Sequence, residues 1–333
     1  MKYIKLLIII VSLILVTGCN RSSDYDGVLN VLNWSSYIPD SVIHDFEEEY
    51  NIKVNYGTYS SNEELLAKVT SSKEGTYDLV FPSDYMVELM KEKNIIMKLD
   101  KDKILNYYNI DDTFLHQSYD PYNEYSLPFL STVVVIAVNE ANITDNITGY
   151  NDLLMSKYKN NIVILDDQRI VIGMSLMALG YDMNETDPKA LKEAEEWLIK
   201  LKQNIKAYDS DSPKTFFITD EVDIGIMWSA EAILARDENP NINIIYPSEG
   251  HAISMDNYVI LKGSKNVDNA YLFIDYLLRD DVSKKIIAEY PYISPNKSIY
   301  NTISLDDIFN KGYYVENIGS NIKEYDKLWA DIK

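Results

Sequence analysis

STVVVIAVN, residues Ser131 to Asn139, is the longest run of β-branched residues in the chain. It is too apolar for the edge of a sheet and too short for a helix buried on all sides. It reads as a central strand that crosses from one part of the molecule to another. A second apolar strand, ISMDNYVIL from Ile253 to Leu261, reads as the return crossing. Between and around these two the sequence alternates strand and helix. VLNVLNW, IKVNYGTYS and YDLVFPS are strands, and the helices DSVIHDFEEEYN, SNEELLAKVTSS and DYMVELMKEKN follow them in turn. After Asn139 the alternation restarts with NIVILDD, IVIGMSLMALGY, DPKALKEAEEWLIKLKQ, IKAYDS, VDIGIMWS, AEAILARDE and INIIYPS. Strand–helix alternation is the mark of layered α/β architecture. At 333 residues the chain exceeds what one core comfortably holds, so two α/β lobes are expected. No Pro/Gly linker separates them, which implies a hinge.

Local signals fix several helix starts. Asp40 or Ser41 is expected to cap the first helix, with Val42, Ile43 and Phe46 facing inward. Ser61 and Glu64 have capping-box spacing, and Pro188 stands near the start of a helix whose apolar side carries Leu191, Ala194, Leu198 and Leu201. Trp197 and Trp329 lie on amphipathic helices and read as packing residues. VDNAYLFIDYLLRDDVSKKIIAEY gives two helices broken near Arg279-Asp280, and SNIKEYDKLWADIK a last one.

The N-terminus is a separate unit. Lys2 and Lys5 precede an apolar run from Leu6 to Val16, which is a signal-peptide length rather than a membrane span. Val16-Thr17-Gly18-Cys19 resembles a bacterial lipobox, so residues 1–18 are expected to be removed and Cys19 lipidated. Cys19 is the one cysteine in the chain, which leaves no internal disulfide and no multi-thiolate metal site. Residues 19–27 read as a tether. The formal charge is −21, and loss of Lys2 and Lys5 deepens it. Such a field attracts cations and repels nucleic acid.

Enzyme signatures are missing. His44, His116 and His251 have no His or Cys partner at metal spacing, and there is no phosphate-binding glycine loop or nucleophile elbow. What recurs is an aromatic ring or an acid at the end of an apolar strand. Trp34 and Tyr37 follow the first strand, Ser83 and Tyr85 the third, Asp166 and Asp167 the strand NIVIL, and Trp228 and Glu231 the strand VDIGIM. Asp256 interrupts the second crossing. Ligands of open α/β sheets bind beyond the carboxyl ends of the strands, so these scattered residues are expected to meet in one cleft. Rings and carboxylates together suit an organic ammonium. Each also has a plainer reading as core filler, helix cap or solvated acid, but a carboxylate inside an apolar strand needs a partner.

The blocks LNWSSYIPDSVIHDFEEEYNIKVNYGTYSSNEELLAKV, YDLVFPSDYMV, YSLPF, DDQR, GIMWS, SMDNYVI and YPYISPN, in that order, resemble the periplasmic spermidine/putrescine-binding proteins of polyamine importers. The resemblance implies a two-lobed, type II periplasmic-binding-protein fold, each lobe a mainly parallel sheet flanked by helices. The lobes would comprise residues 28–133 plus 255–300 and 134–254 plus 301–333, joined by two crossing strands. It implies Trp34 and Tyr37 as aromatic residues of the cleft wall, Ser83 and Tyr85 as the next wall segment, Asp167 as a carboxylate that holds an amine, Ser210 as a polar contact in the second lobe and Trp228 as a ring that stacks on the methylene chain, with Ser36 also among the ligand-binding positions. Asp256 is implied as the deepest acid and Tyr292 as a lid. Three positions depart from the family pattern: Ser36 and Ile170 stand where acids are expected, and Ser254 where a tryptophan is. Glu231 falls where putrescine-type members carry an acid. The implied protein is a monomeric lipoprotein with no cofactor and no catalysis, at the outer face of a membrane. It would bind a polyamine or a related organic cation and hand it to ABC permease subunits. The competing readings are an enzyme of the same fold acting on a small cation, with His251 as base, and a binding protein that feeds a sensory receptor.

Overall fold

The computed structural model describes residues 25–299 and 304–333. The expected signal peptide and Cys19 lie outside these residues. Among the described residues ten strands form one sheet, eight of them along the path β2-β1-β3-β9-β4-β7-β5-β6, with β10 added to β9 and β8 to β4. β1 (Gly27–Trp34) lies parallel to β2 (Ile52–Tyr59) and β3 (Leu79–Val80). At the far end β5 (Ile162–Ile164) lies parallel to β6 (Ile205–Tyr208) and β7 (Ile224–Trp228). The middle is antiparallel. The first half of β4 (Leu127–Asn139) pairs with β9 (His251–Ile260), and its second half pairs with β7 and with β8 (Ile242–Ile245). β4 and β9 are thus the two crossings, hydrogen-bonded to each other from Leu127–Tyr258 to Val133–Ile253. All thirteen residues of β4 are buried, which is why it reads as a continuous apolar run rather than an alternation.

Helices cover both faces. α1 (Asp40–Tyr50), α2 (Asn62–Ser71) and α3 (Asp84–Glu92) follow β1, β2 and β3. α4 (Gln168–Ala178) follows β5, α5 (Pro188–Lys202) precedes β6, and α6 (Lys214–Ile218) and α7 (Ser229–Glu238) flank β7. α8 (Val267–Leu277) and α9 (Asp280–Glu289) follow β9. α10 (Leu305–Asn310), β10 (Gly312–Tyr314) and α11 (Ile322–Ile332) complete the described chain. One buried cluster packs Val42 and Phe46 of α1 with Phe273 and Ile274 of α8 against Leu29 and Val31 of β1. A second packs Ile170 of α4, Leu198 of α5 and Tyr325 of α11 against Ile136, Ile164 and Ile226. A third lines the opposite side of the sheet from Leu32 through Val133 and Val135 to Phe217.

Capping follows the local chemistry with one correction. Asp167 and Asp187 each accept two backbone N–H groups at the starts of α4 and α5, and Ser61 Oγ accepts from Glu64 N at 3.1 Å. α1 has neither Asp40 nor Ser41 as cap. Pro39 takes that position with no side-chain cap, and Asp40 sits in the first turn, where a negative charge suits the helix N-terminus. Trp197 is buried and donates to Asn151 Oδ1 at 2.9 Å, a packing role as read. Among the described residues no helix is long and apolar enough to cross a membrane.

Candidate functional site

Asp256 organises the site. A short antiparallel bridge sets it beside Ser83, and its side chain is 2% exposed. Oδ1 accepts from Ser83 Oγ at 2.7 Å and Trp34 Nε1 at 3.1 Å, and Oδ2 accepts from the Tyr37 hydroxyl at 2.8 Å. All three donors are neutral. Among the described residues Asp256 belongs to none of the ion pairs. Burial pushes its carboxyl up to about 6, against the pull of those three hydrogen bonds. A carboxylate in this state is a buried negative charge without a counterion.

The surrounding rings are placed by the backbone. The turn after β1 uses a left-handed residue, Ser36, at φ 56°, and swings Tyr37 back toward Trp34. The two ring centroids lie 6.3 Å apart, and Trp34 packs on Tyr59 at 4.7 Å. Tyr292 lies against Tyr37 with centroids 4.4 Å apart and the ring planes tilted by 35°. It is held there because its neighbour Ile293 exchanges two backbone hydrogen bonds of 2.8 Å with Ser131 of β4. Trp34, Tyr37, Ser83, Asp256 and Tyr292 therefore form one contiguous group, although they come from four separate parts of the sequence.

The other expected residues divide. Asp167 caps α4 and faces Glu63 of α2. Desolvation raises its carboxyl above the usual range, and the Glu63 charge adds to this. Tyr85 lies between them, donating its hydroxyl to Glu63 Oε1 at 3.0 Å and lying within the field of Asp167. The adjacent acid Asp166 turns outward to an ion pair with Lys333. Burial raises the Tyr292 hydroxyl and the charge of Glu231 adds to this, but the Glu231 carboxylate is itself engaged by Lys214 Nζ at 2.8 and 3.0 Å. Trp228 is half-buried where β7 runs into α7, beside Val134 of β4. Ser210 follows β6, and its buried Oγ has no hydrogen-bond partner. Ser36 is exposed, beside Tyr290 rather than among the acids.

Sequence reasoning missed Glu63 and Lys214. Glu63 sits in the first turn of α2, where an acid needs no further explanation, and Lys214 lies in a loop-like stretch, so neither carried a signal. His251 is no base for this site. It is 1% exposed, its Nε2 lies 3.0 Å from the Ile308 carbonyl oxygen, and desolvation lowers its tendency to hold a proton. Five residues along a strand from Asp256, it also points to the opposite face. No group of His, Cys, Asp and Glu among the described residues has the geometry of a metal site.

The model of the bacterial extracellular solute-binding proteins matches residues 41–310. The chain is 37% identical to the spermidine/putrescine-binding periplasmic protein of Salmonella typhimurium, over 94% of this chain and 93% of that protein. Two crystal structures are similar throughout. The spermidine/putrescine ABC transporter substrate-binding protein of Streptococcus pneumoniae shares 32% identity at a TM-score of 0.80, covering 92% of this chain and 98% of that one. A lipoprotein of Treponema pallidum shares 27% identity at a TM-score of 0.85, covering 92% and 99%.

Proposed function

The chain belongs to the bacterial extracellular solute-binding proteins, with the two-lobed type II fold, and from that premise we propose that it binds a polyamine between its lobes and delivers it to an ABC permease. The observation that carries this reading is the Asp256 carboxylate, 2% exposed and met only by neutral donors. An ammonium group supplies the missing counterion, and the faces of Trp34, Tyr37 and Tyr292 favour the cation and cover its methylenes. Asp167, with Glu63 facing it, offers a second anionic position. Ser83 positions Asp256, while Tyr85, Ser210 and Trp228 complete the walls. The names of the relatives support spermidine or putrescine as the ligand. They are binding components of transporters, which supports delivery over turnover.

In this reading residues 28–133 plus 255–300 form one lobe and 134–254 plus 301–333 the other, and closure bends the paired β4 and β9. The lipobox-like residues before Cys19 support an anchor at the outer face of the membrane, with residues 19–27 as tether and the protein acting as a monomer. A Cys19→Ala form is expected in the soluble fraction after cell breakage; retention with the membranes sinks the anchor.

Calorimetric titration of the purified protein with putrescine and spermidine tests the site. Asp256→Asn keeps the shape and removes the charge. It is expected to weaken amine binding by about a hundredfold or more, since a desolvated charge pair is broken on one side. Unchanged affinity in that variant rules Asp256 out as the anchor.

A further inference from the structure

Lys214 opens α6 and lays its ammonium on Glu231, with Nζ 2.8 Å from Oε1 and 3.0 Å from Oε2. The lysine side chain is 27% exposed and the glutamate side chain 13%. No other ion pair among the described residues is so covered on both sides. The Lys214 backbone N–H also favours the Glu231 carboxylate, and Asp209 acts on it with like charge. Ser229, two positions before Glu231, lies with its Oγ 3.1 Å from Thr132 Oγ1 of β4, and the adjacent Ser131 pairs with Ile293, next to Tyr292, whose ring lies against Tyr37, the donor to Asp256. The start of α7, which carries Glu231, is thus joined through β4 to the group around Asp256, and its acid already has an ammonium of the chain as partner.

We infer that Lys214 is an internal competitor for the Glu231 carboxylate and sets how many charges the bound amine can carry. This inference rests on the polyamine reading above. A ligand ammonium that reaches Glu231 must give up its hydration, displace Lys214 and leave that ammonium without its partner. One charge-assisted contact replaces another, so the exchange gains little. A diamine avoids it by using Asp256 at one end and Asp167 with Glu63 at the other. A triamine carries a third ammonium for which the remaining acid is taken. Removal of the Lys214 charge reverses this. Glu231 then becomes a covered carboxylate with no counterion, which a third ammonium compensates.

The test is calorimetric titration of putrescine and spermidine into the wild-type protein, Lys214→Met, Glu231→Gln and the double variant. Methionine keeps an apolar stem of similar length. Lys214→Met is expected to tighten spermidine about tenfold relative to putrescine, a modest share of what a desolvated charge pair can contribute. The double variant is expected to lose that gain, because the coupling between the two positions is the quantity read. Lys214→Arg rebuilds the pair and is expected to restore the wild-type ratio. Should methionine prevent folding, Lys214→Gln, which keeps a hydrogen bond to the carboxylate, is expected to shift the ratio in the same direction. An unchanged spermidine-to-putrescine ratio, in a variant that melts cooperatively and still binds both amines, overturns the role of Lys214 and leaves the polyamine reading intact. Failure of the wild-type protein to bind either amine overturns that reading itself.

Discussion

Asp256 holds its charge where water cannot help it, and that has a consequence in each protonation state. Its carboxyl, ordinarily at 3.8, is pushed up to about 6 by burial. The folded protein therefore binds a proton at this group, between the two values, that the unfolded chain does not. The contribution to stability is full at low pH and is lost as pH rises through about 6, at a cost of roughly 3 kcal/mol by pH 7. Binding runs the other way, because only the ionised form pairs with an ammonium. The dissociation constant for putrescine is expected to be level above pH 7 and to rise toward tenfold per unit below about 6, since each ligand lost is exchanged for one proton. Glu64, lowered to about 2 by Lys68 and Ser60, loses stability on acidification instead, so the comparison is between wild type and Asp256→Asn. A variant with the same acid-side binding profile as the wild type would remove Asp256 from the account. At this scale the sequence was informative. A carboxylate in an apolar strand announces a need for a partner, whereas its three neutral donors come from positions 34, 37 and 83 and could not be read from the strand alone.

Helix α4 shows why element and site cannot be assigned separately. Asp167 is at once a helix cap, accepting from Arg169 N at 2.9 Å and Ile170 N at 3.1 Å, and an acid raised by burial and by Glu63. The sequence set a solvated loop acid against a ligand at this position; the side chain is instead a helix cap, and a binding role stands beside that as a proposal. Two substitutions separate them. Asp167→Ala is expected to lower stability by about 1 kcal/mol through loss of the cap and to weaken amine binding as well. Asp167→Asn keeps the cap, since asparagine serves equally well there, and is expected to match wild-type stability while still weakening binding. Chemical denaturation and calorimetry on both variants check this; normal binding by Asp167→Asn leaves Asp167 a cap and nothing more. Most elements were legible from apolar periodicity, including the broken pair α8 and α9 and the crossing strands. Some short ones without a continuous apolar run were not. α6 and β10 span five and three residues, too few for a period to register. The unread α6 carries Lys214, so the element missed and the residue missed share one cause. Asp40 failed as a cap because Pro39 already fixes the turn into α1.

At the scale of the molecule, a single path of strands serves two lobes, and the order of strands in space differs from their order in the chain. The alternation of strands and helices conveyed the layering but could not convey that β9 inserts between β3 and β4. That pairing is set by long-range contacts with no local signature. β9 is the keystone of the sheet: it joins β3 on one side and the first half of β4 on the other, and it also supplies Asp256. A chain ending at residue 250 is expected to stay protease-sensitive throughout, the early strands β1 to β3 included, because the sheet lacks its centre. Protection of those strands in limited proteolysis of such a fragment would contradict this dependence.

The late arrival of β9 bears on biogenesis. A ribosome must make three-quarters of the polypeptide before the central position of the sheet can be filled, and contacts this distant in sequence form slowly. The nascent chain consequently stays pliable for most of its elongation, the condition suited to passage through a narrow secretion channel. The sheet can be completed only once the segment that carries Asp256 has joined it.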